Sequence, residues 1–240
     1  MEWMALGDNA MITLYSYPEL FGVADNNPYG LKIFAFLKLC KLPFRHEHIL
    51  DVRDAPRGQL PYIVDDDAHI GDSDAIVAHL IKKYGLKIDG DLTPAQVDMH
   101  LMIRRMLDDL YWVMSYSRWS DERFWPLFRN AFLKTHPTVL PDTLEAASKY
   151  NFQRYYYQGI ARYERDAVYE RGIADIKTLA SINPKSGYFF GAEPTSIDAA
   201  VYGFIANIYF YAIDTPLKAC VLSHPVLVEH CVDMHSAVSR

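Results

Sequence analysis

The sequence predicts a protein in two parts, an α/β layer built on a four-stranded mixed sheet followed by an all-helical part. Within residues 1–85, short runs rich in β-branched and aromatic residues alternate with runs of helical periodicity. From Thr93 onward, apolar residues recur three and four positions apart, which is the spacing of one helix face. At about 150 residues per domain, the 240 residues suffice for one large domain or two small ones.

The order of elements in the first part predicts a parallel pair of strands, a hairpin and two covering helices. Asn27 and Pro28 are favoured at the N-cap and the first position of a helix, and Gly85 is favoured just after a helix ends. Strands joined through a helix lie parallel, whereas strands joined by a tight turn lie antiparallel. We therefore expect strands at 12–15, 44–50, 62–64 and 69–70, with helices at 29–39 and 73–84.

The second part is predicted to be helical throughout. Thr93 and Gln96 have the spacing of a capping box, and the apolar stripe at 99–114 predicts a long helix behind it. The segment 119–141 is expected to be irregular because three prolines interrupt it, and one long helical run is expected at 143–182.

The most apolar segment of the chain, 197–213, is predicted to form a buried helix. Thr195 and Asp198 have the spacing of a second capping box at its start. Asp198 and Asn207 interrupt the segment, which also falls short of the ~20 apolar residues that span a bilayer. We therefore expect no transmembrane segment here.

Charge and cysteine content indicate which binding partners and which cellular compartment to expect. The chain has 24 Lys and Arg against 30 Asp and Glu, whereas nucleic-acid binders usually present a basic face. Cys40, Cys220 and Cys231 fit free thiols in a reducing cytosol, and the first ten residues lack a signal-peptide pattern. His46 and His48 have no third ligand nearby. We expect a cytoplasmic protein that binds neither nucleic acid nor metal.

Three short motifs, taken in order, resemble the glutathione-binding domain of glutathione S-transferases. They are Asn27-Pro28-Tyr29-Gly30-Leu31-Lys32 after the first strand, Pro56-x-Gly58-Gln59-Leu60-Pro61 before the third, and Asp72-Ser73 at the start of the second helix. The resemblance covers nearly the whole chain. It implies a thioredoxin-like, glutathione-binding domain at 1–85 and an all-helical domain at 93–240.

Two further segments resemble the metaxin-like, or failed axon connections-like, branch of that superfamily. Residues 188–199 have the sequence YFFG-x-x-PTSIDA, and residues 214–218 have the sequence DTPLK. The first helix also begins with Asn27-Pro28-Tyr29, which is similar to the Ser-Pro-aromatic start of that branch.

The resemblance implies a glutathione site around Gln59, Leu60 and Pro61. A Pro before the third strand of this domain is usually cis, which turns the Leu60 backbone toward a cleft where it can pair with an extended peptide. Gln59 either bonds the peptide or faces solvent. Asp72 and Ser73 suit the ammonium and carboxylate of a γ-glutamyl group at a helix N-terminus, although the same residues also suit an ordinary N-cap.

Asn27 and Tyr17 are the two candidates for activating the glutathione thiol, whose unperturbed pKa is about 8.5. Asn27 occupies the position where many relatives have Ser or Cys, and a donor at a helix N-terminus can stabilise a thiolate. The same residue is equally suited to be only an N-cap. Tyr17, at the end of the first strand, is the second candidate. Tyr15 is expected to point into the sheet, and Tyr29 is a further hydroxyl donor.

These expectations predict a protein that binds glutathione as a co-substrate and adds its thiolate to an electrophilic or hydrophobic second substrate near Tyr111, Trp112 and Met114. The resemblance also allows a homodimer. The alternative is a non-catalytic, metaxin-like interaction module that keeps the fold without efficient thiol activation, and Asn27 favours this alternative. A thiol–disulfide oxidoreductase is disfavoured because position 27 is not Cys.

Overall fold

The N-terminal part of the protein contains a four-stranded mixed sheet, in a computed structural model that describes residues 11–184 and 187–239. The strands are β1 (Ile12–Ser16), β2 (Phe44–His48), β3 (Tyr62–Asp65) and β4 (Ala68–Gly71). Their spatial order is β2-β1-β3-β4, with β1 parallel to β2 and β3 antiparallel to both β1 and β4. The predicted α/β layer is confirmed.

Two helices cover this sheet, and their ends have the chemistry that the sequence indicates. The helices are α1 (Pro28–Leu39) and α2 (Ser73–Tyr84). The Asn27 side chain accepts a hydrogen bond from the N–H of Tyr29 at the start of α1, and Gly85 ends α2 in the left-handed conformation with φ 61°. The first ten residues, on which the signal-peptide prediction rests, lie outside the described residues.

The rest of the described chain is helical. The helices are α3 (Pro94–Trp119), α4 (Trp125–Thr135), α5 (Pro141–Gln158), α6 (Arg165–Ile182), α7 (Ser196–Tyr209), α8 (Pro216–Leu222) and α9 (Pro225–Val238). The capping box of α3 is confirmed, since Thr93 Oγ1 accepts from the N–H of Gln96 at 3.3 Å and Gln96 Oε1 accepts from the N–H of Thr93 at 2.9 Å.

Two sequence predictions for the helical part are wrong. The segment 119–141 is irregular only on either side of α4, because Pro126 lies in the first turn of that helix, where a missing N–H leaves no intrahelical bond unmade. The run at 143–182 is not one helix, because Gly159 adopts φ 113° and ends α5. A 3₁₀ turn, Ile160–Arg162, then leads toward α6.

Helix α7 lies at the centre of the molecule and is buried along almost its whole length. Its predicted capping box is confirmed, since Asp198 Oδ2 accepts from the N–H of Thr195 at 2.8 Å. The other carboxylate oxygen of Asp198 accepts from the N–H of Phe189 at 2.9 Å and lies 3.0 Å from Nε2 of His230. The carboxylate therefore fixes both a loop and α9 to the start of α7.

One hydrophobic core runs through both parts of the chain. It joins Leu14 and Ile63 of the sheet to Phe36 of α1 and to Leu107 and Phe204 of the helical part. The predicted domain limits, 1–85 and 93–240, stay a prediction. None of the helices in the described part of the chain is long and apolar enough to cross a membrane.

Candidate functional site

A cleft of about 480 Å³ lies between the sheet layer and helices α3 and α5. It contains all seven residues that the sequence singles out for glutathione binding or thiol activation. These are Tyr17, Asn27, Gln59, Leu60, Pro61, Asp72 and Ser73. Four separate segments of the sequence meet here, because β1, α1, β3 and α2 all present one end to the same edge of the layer.

The edge of the cleft before β3 has the backbone conformation that the family resemblance implies. The Leu60–Pro61 peptide bond is cis. Leu60 precedes the registered pairs of β3, which begin at Tyr62 opposite Tyr15, and its N–H and C=O have no hydrogen-bond partner among the described residues. A free donor and a free acceptor at a cleft edge can pair with an extended peptide. Gln59 is exposed beside them.

Asp72 is the N-cap of α2. Its Oδ1 accepts from the N–H groups of Asp74 and Ala75, at 3.0 and 3.1 Å. Its backbone has φ 75°, a region that non-glycine residues seldom adopt and that concentrates at functional sites. The second oxygen, Oδ2, makes one long ion pair, 4.0 Å from Nη1 of the exposed Arg57, and Asp72 lines the cleft. A cationic ligand in the cleft could therefore share this oxygen or replace Arg57 there.

Ser73 is the first residue of α2, and a buried lysine supports it from below. Lys32 Nζ donates to Ser73 Oγ at 3.0 Å and forms an ion pair with Asp74. Arg104 Nη1 binds the other oxygen of Asp74 at 2.6 Å. Burial lowers the pKa of Lys32, and Asp74 opposes that shift. Since an ammonium only donates, the Ser73 hydroxyl must direct its own hydrogen elsewhere.

Asn27 caps α1 and also faces the cleft. Its Oδ1 accepts from the N–H of Tyr29 at 3.0 Å, while its own N–H donates to Asp25 Oδ1 at 2.7 Å. Its Nδ2 has no partner among the residues that the structure describes. Asn27 therefore acts as an N-cap, as one alternative predicts, and the cap leaves its amide N–H groups free to donate.

Tyr17 lies at the end of β1 and lines the cleft as a protonated phenol. Burial, reinforced by Tyr111 and Asp25, raises the pKa of Tyr17 to about 12. The hydroxyl can therefore donate a hydrogen bond, but it is a poor base at neutral pH.

The two remaining tyrosine candidates are engaged elsewhere. Tyr15 stacks on Tyr62 within the sheet, with ring centroids 4.5 Å apart, as the sequence predicts for its position. The hydroxyl of Tyr29 donates to Asp108 Oδ1 at 2.9 Å. Asn27 and Tyr17 remain as the donors at this end of the cleft.

Comparison with known proteins assigns the family. The family model described as Glutathione S-transferase N-terminal domain matches residues 28–124, and that described as Glutathione S-transferase, C-terminal domain matches residues 172–234. An isoprene-epoxide–glutathione S-transferase of Rhodococcus sp. (strain AD45) is 32% identical over 208 residues, which cover 82% of this chain and 87% of that protein. The chain belongs to the glutathione S-transferase family.

Two further similarities refine the branch and the fold. The failed axon connections protein of Drosophila melanogaster is 25% identical over 96% of this chain and 57% of its own length, which confirms the metaxin-like branch. A glutathione S-transferase of Methylobacterium radiotolerans, in complex with glutathione sulfonate, has a TM-score of 0.61 at 13% identity. That similarity covers 95% of this chain and 93% of the other, and confirms a thioredoxin-like layer followed by helices.

Some residues of this glutathione S-transferase cleft are not predictable from its motifs. Lys32 belongs to a quoted motif, yet its contact with Ser73 joins positions 41 residues apart. Asp74 and Arg104 complete the half-buried ion pairs, and nothing local distinguishes them. Asp25 is fully buried behind Asn27, and burial raises its pKa to about 8. A lysine on an otherwise apolar helix face is the one sequence signal that could have indicated such a cluster.

A second cavity, of about 240 Å³, adjoins the first at Tyr17, Asn27 and Tyr111. The sequence predicts a second substrate near Tyr111, Trp112 and Met114. Tyr111 lines both cavities, Trp112 lines the first and Met114 lines the second. In the described part of the chain, no cluster of three or more His, Cys, Asp or Glu side chains is arranged to hold a metal ion.

Proposed function

We propose that the protein binds glutathione in the first cavity and joins its sulfur, as the intact glutathionyl group, to a small electrophile in the second. The observation that carries the proposal is the convergence of Leu60, Asp72, Ser73 and Asn27 on one cleft. Leu60 offers backbone groups that can pair with a peptide, and Asp72 offers a carboxylate. Ser73 offers a helix N-terminus that can bind an anion, and Asn27 offers an amide N–H donor. That set matches the successive groups of a γ-glutamyl tripeptide.

The γ-glutamyl group would bind at the start of α2. Lys32 already donates to Ser73 Oγ, so the hydroxyl hydrogen is free to donate to the glutathione carboxylate. The positive end of the α2 dipole favours the same negative charge. The ammonium would lie against Asp72 Oδ2, because Oδ1 already accepts the two capping bonds.

The sulfur would lie at the start of α1, with Asn27 Nδ2 as the donor to the thiolate and the Tyr17 hydroxyl next to it. A positioned donor and a helix N-terminus both lower a thiol pKa below about 8.5, which raises the thiolate fraction at neutral pH. Asn27 cannot form a mixed disulfide, so the chemistry would be addition or substitution at carbon.

With an epoxide, the class named for the Rhodococcus relative, the thiolate sulfur attacks a ring carbon. One S–C bond forms and one C–O bond breaks, and the electron pair of that bond stays on oxygen. The alkoxide then takes a proton, for which the protonated Tyr17 is a nearby donor. Holding both reactants in adjoining cavities would supply the main rate advantage, through proximity.

Calorimetry with glutathione and a chromogenic conjugation assay test this proposal. We expect Ser73→Ala to weaken glutathione binding about tenfold or more, since a charge-assisted hydrogen bond contributes roughly 1.5–3 kcal/mol. Asn27→Ala should lower turnover with little effect on binding, and Asn27→Ser should restore it. If these changes leave turnover unaltered while glutathione binds, then Tyr17 is the next residue to test.

The rival function is a non-catalytic interaction module of the metaxin-like kind. It is favoured by the capping bond of Asn27 to Tyr29 and by the similarity to the failed axon connections protein. Absence of glutathione binding at millimolar concentration would reject the transferase and support the module.

The cytoplasmic location and the homodimer belong to the same proposal. Cys40, Cys220 and Cys231 are free thiols in the structure, which supports a reducing compartment. Sedimentation velocity over a range of protein concentrations would test the dimer.

A further inference from the structure

The second cavity has apolar walls and an unusual balance of charge. Its lining contains no Asp or Glu, but it contains Arg118 and Arg154. The other lining residues are uncharged, and many are aromatic or aliphatic, such as Trp119, Phe132 and Leu144. A cavity with two cations and no anion among its walls attracts a negative ligand.

Arg118 is buried, with 8% of its surface exposed. Its Nη1 donates to the carbonyl oxygen of Asn26, and its Nη2 donates to the carbonyl oxygen and Oδ1 of Asn207, at 2.6 and 3.1 Å. The guanidinium also lies 4.8 Å from the ring centre of Tyr211. All of these hydrogen-bond partners are neutral, so they satisfy donors without balancing the charge. The buried Asp25 carboxyl acts on Arg118 electrostatically but forms no ion pair with it, and burial raises the pKa of Asp25 to about 8, so that carboxyl keeps its proton at neutral pH.

Arg154 stands on α5, at the junction of the two cavities. It is half-buried, donates to Asn151 Oδ1 at 3.2 Å, and lies 5.4 Å from the ring centre of Trp112 and 5.8 Å from that of Tyr150. These contacts hold the guanidinium in place with neutral partners only.

The lack of a carboxylate partner distinguishes these two arginines from most others. Among the arginines in the described ranges, only Arg118, Arg154 and Arg162 have no carboxylate within 4.0 Å. Ion pairs are made by Arg45, Arg53, Arg57, Arg104, Arg105, Arg123, Arg129, Arg165 and Arg171. Arg162 is exposed and donates to the carbonyl oxygen of Tyr156. The two remaining unpaired arginines both line the second cavity.

We propose that the second substrate is a small apolar electrophile that carries a carboxylate, which Arg154 binds directly while Arg118 adds positive potential from the buried side. This inference rests on the proposed transferase function and names the substrate class of its second cavity. A guanidinium matches a carboxylate with two parallel hydrogen bonds, and the aromatic and aliphatic walls match the rest of such a molecule. A volume of about 240 Å³ suits a molecule of one-ring size.

A matched pair of electrophiles tests the substrate class in the presence of glutathione. The probes are 4-chloro-3-nitrobenzoate and its methyl ester, each rate being divided by the uncatalysed rate. In both reactions the glutathione sulfur bonds to the ring carbon, the C–Cl bond breaks, chloride leaves and the thiol proton passes to water. We expect the corrected kcat/KM to be at least tenfold higher for the acid.

Variants at two arginines test whether Arg154 causes the preference for the acid over the ester. Arg154→Gln should reduce the acid-to-ester ratio to about one, and Arg154→Lys should restore part of it. Arg162→Gln removes the same charge at a site outside both cavities, so the ratio should stay unchanged. Arg154 is preferred to Arg118 for substitution because the Arg118 bonds to Asn26 and Asn207 join two parts of the fold. Equal rates for acid and ester in the parent protein would overturn the proposal.

A binding measurement separates this inference from the transferase proposal. 4-Methyl-3-nitrobenzoate has no leaving group, so its affinity can be compared with that of its methyl ester by calorimetry even without turnover. Acid binding at least tenfold tighter than ester binding, lost in Arg154→Gln and retained in Arg162→Gln, supports the inference. Equal affinities reject it.

Glutathione is itself a carboxylate, so a titration with glutathione alone distinguishes the two sources of that group. One equivalent bound to the parent protein supports a separate acidic electrophile. A second equivalent that disappears in Arg154→Gln would overturn the proposal in favour of a second glutathione molecule.

Discussion

At the scale of single residues, the candidate site depends on side chains in which one polar atom caps a helix and the other faces the cleft. Asp72 caps α2 with Oδ1 and presents Oδ2 to the cleft, while Asn27 caps α1 with Oδ1 and presents Nδ2. Ser73 accepts from Lys32 and has a hydrogen left to donate. A substitution that keeps the capping atom and alters only the atom facing the cleft should therefore separate helix capping from ligand binding.

Asp72→Asn should separate the two uses of Asp72. Asn is as good an N-cap as Asp, so we expect the free energy of unfolding to change by less than about 0.5 kcal/mol. Loss of the charge facing the ammonium should weaken glutathione binding about tenfold, which corresponds to roughly 1.4 kcal/mol. Urea unfolding and calorimetry measure the two effects. Asp67→Asn, in an exposed turn, is the matched control, and an equal affinity loss there would contradict the prediction.

Asp25 should make stability depend on pH in an unusual direction. Burial raises its pKa from 3.8 to about 8, against the opposing bonds from Asn27 and others. Between these values the unfolded chain has released the proton and the folded chain keeps it. The free energy of unfolding should therefore fall as pH rises from about 4 to about 8, by at most ~1.4 kcal/mol per pH unit.

Asp25→Asn removes this titration. Urea unfolding of parent and variant at pH 5, 6, 7 and 8 gives the difference at each pH, and other groups cancel in it. We expect the variant to gain stability relative to the parent as pH rises. If the free energy of unfolding depends on pH in the same way for parent and variant, then Asp25 titrates alike in the folded and unfolded chains and the prediction is wrong.

At the scale of secondary structure elements, the close approach of α1 and α7 sets the position of the cleft. Gly203 of α7 lies against the backbone of α1, where an added Cβ would be 2.4 Å from the Pro28 carbonyl oxygen and 2.9 Å from the Lys32 nitrogen. Both are backbone atoms, so neither can rotate away. α1 in turn carries Lys32 beneath Ser73 and begins next to Asn27.

Gly203→Ala should therefore disturb both stability and glutathione binding. Overpacking costs about 1–3 kcal/mol, offset in part by the helix propensity of Ala, about 1 kcal/mol above Gly. Gly172→Ala is the matched control, because its Cβ would meet Val113 and Leu217 side chains 2.9 Å away, outside the cleft. We expect both variants to melt earlier and only Gly203→Ala to bind glutathione more weakly. Similar affinities for the two variants would contradict this.

At the scale of the whole molecule, one core joins the sheet to the helices, so the two parts should unfold together. Fluorescence of Trp112, Trp119 and Trp125 reports on the helical part, and hydrogen exchange at Leu14 and Ile63 reports on the sheet. We expect a single thermal transition and opening free energies that agree within about 1 kcal/mol for the two sets of probes. A sheet that opens well before the helical part would show two independent units.

The elements themselves were predictable because their signals are local. The spacing of apolar residues and the caps at Asn27, Thr93 and Thr195 lie within a few positions of the structure that they specify. The two errors arose where one residue type has two local uses. Proline breaks a helix interior but fits its first turn, as Pro126 does in α4. Glycine is tolerated within a helix but also ends one, as Gly159 does at α5.

The sequence by itself determined the order of elements in the sheet layer and the cap of α2 at Asp72, because each is written in a short contiguous segment, and the family resemblance implied the cleft edge at Leu60–Pro61. Only the tertiary structure decided that Lys32 lies beneath Ser73, that Asp25 is buried, and that Arg118 and Arg154 share one cavity without an anion. Burial and charge pairing depend on residues far apart in the chain. They exist only once α1, α3 and α7 have packed, and no local pattern encodes that packing.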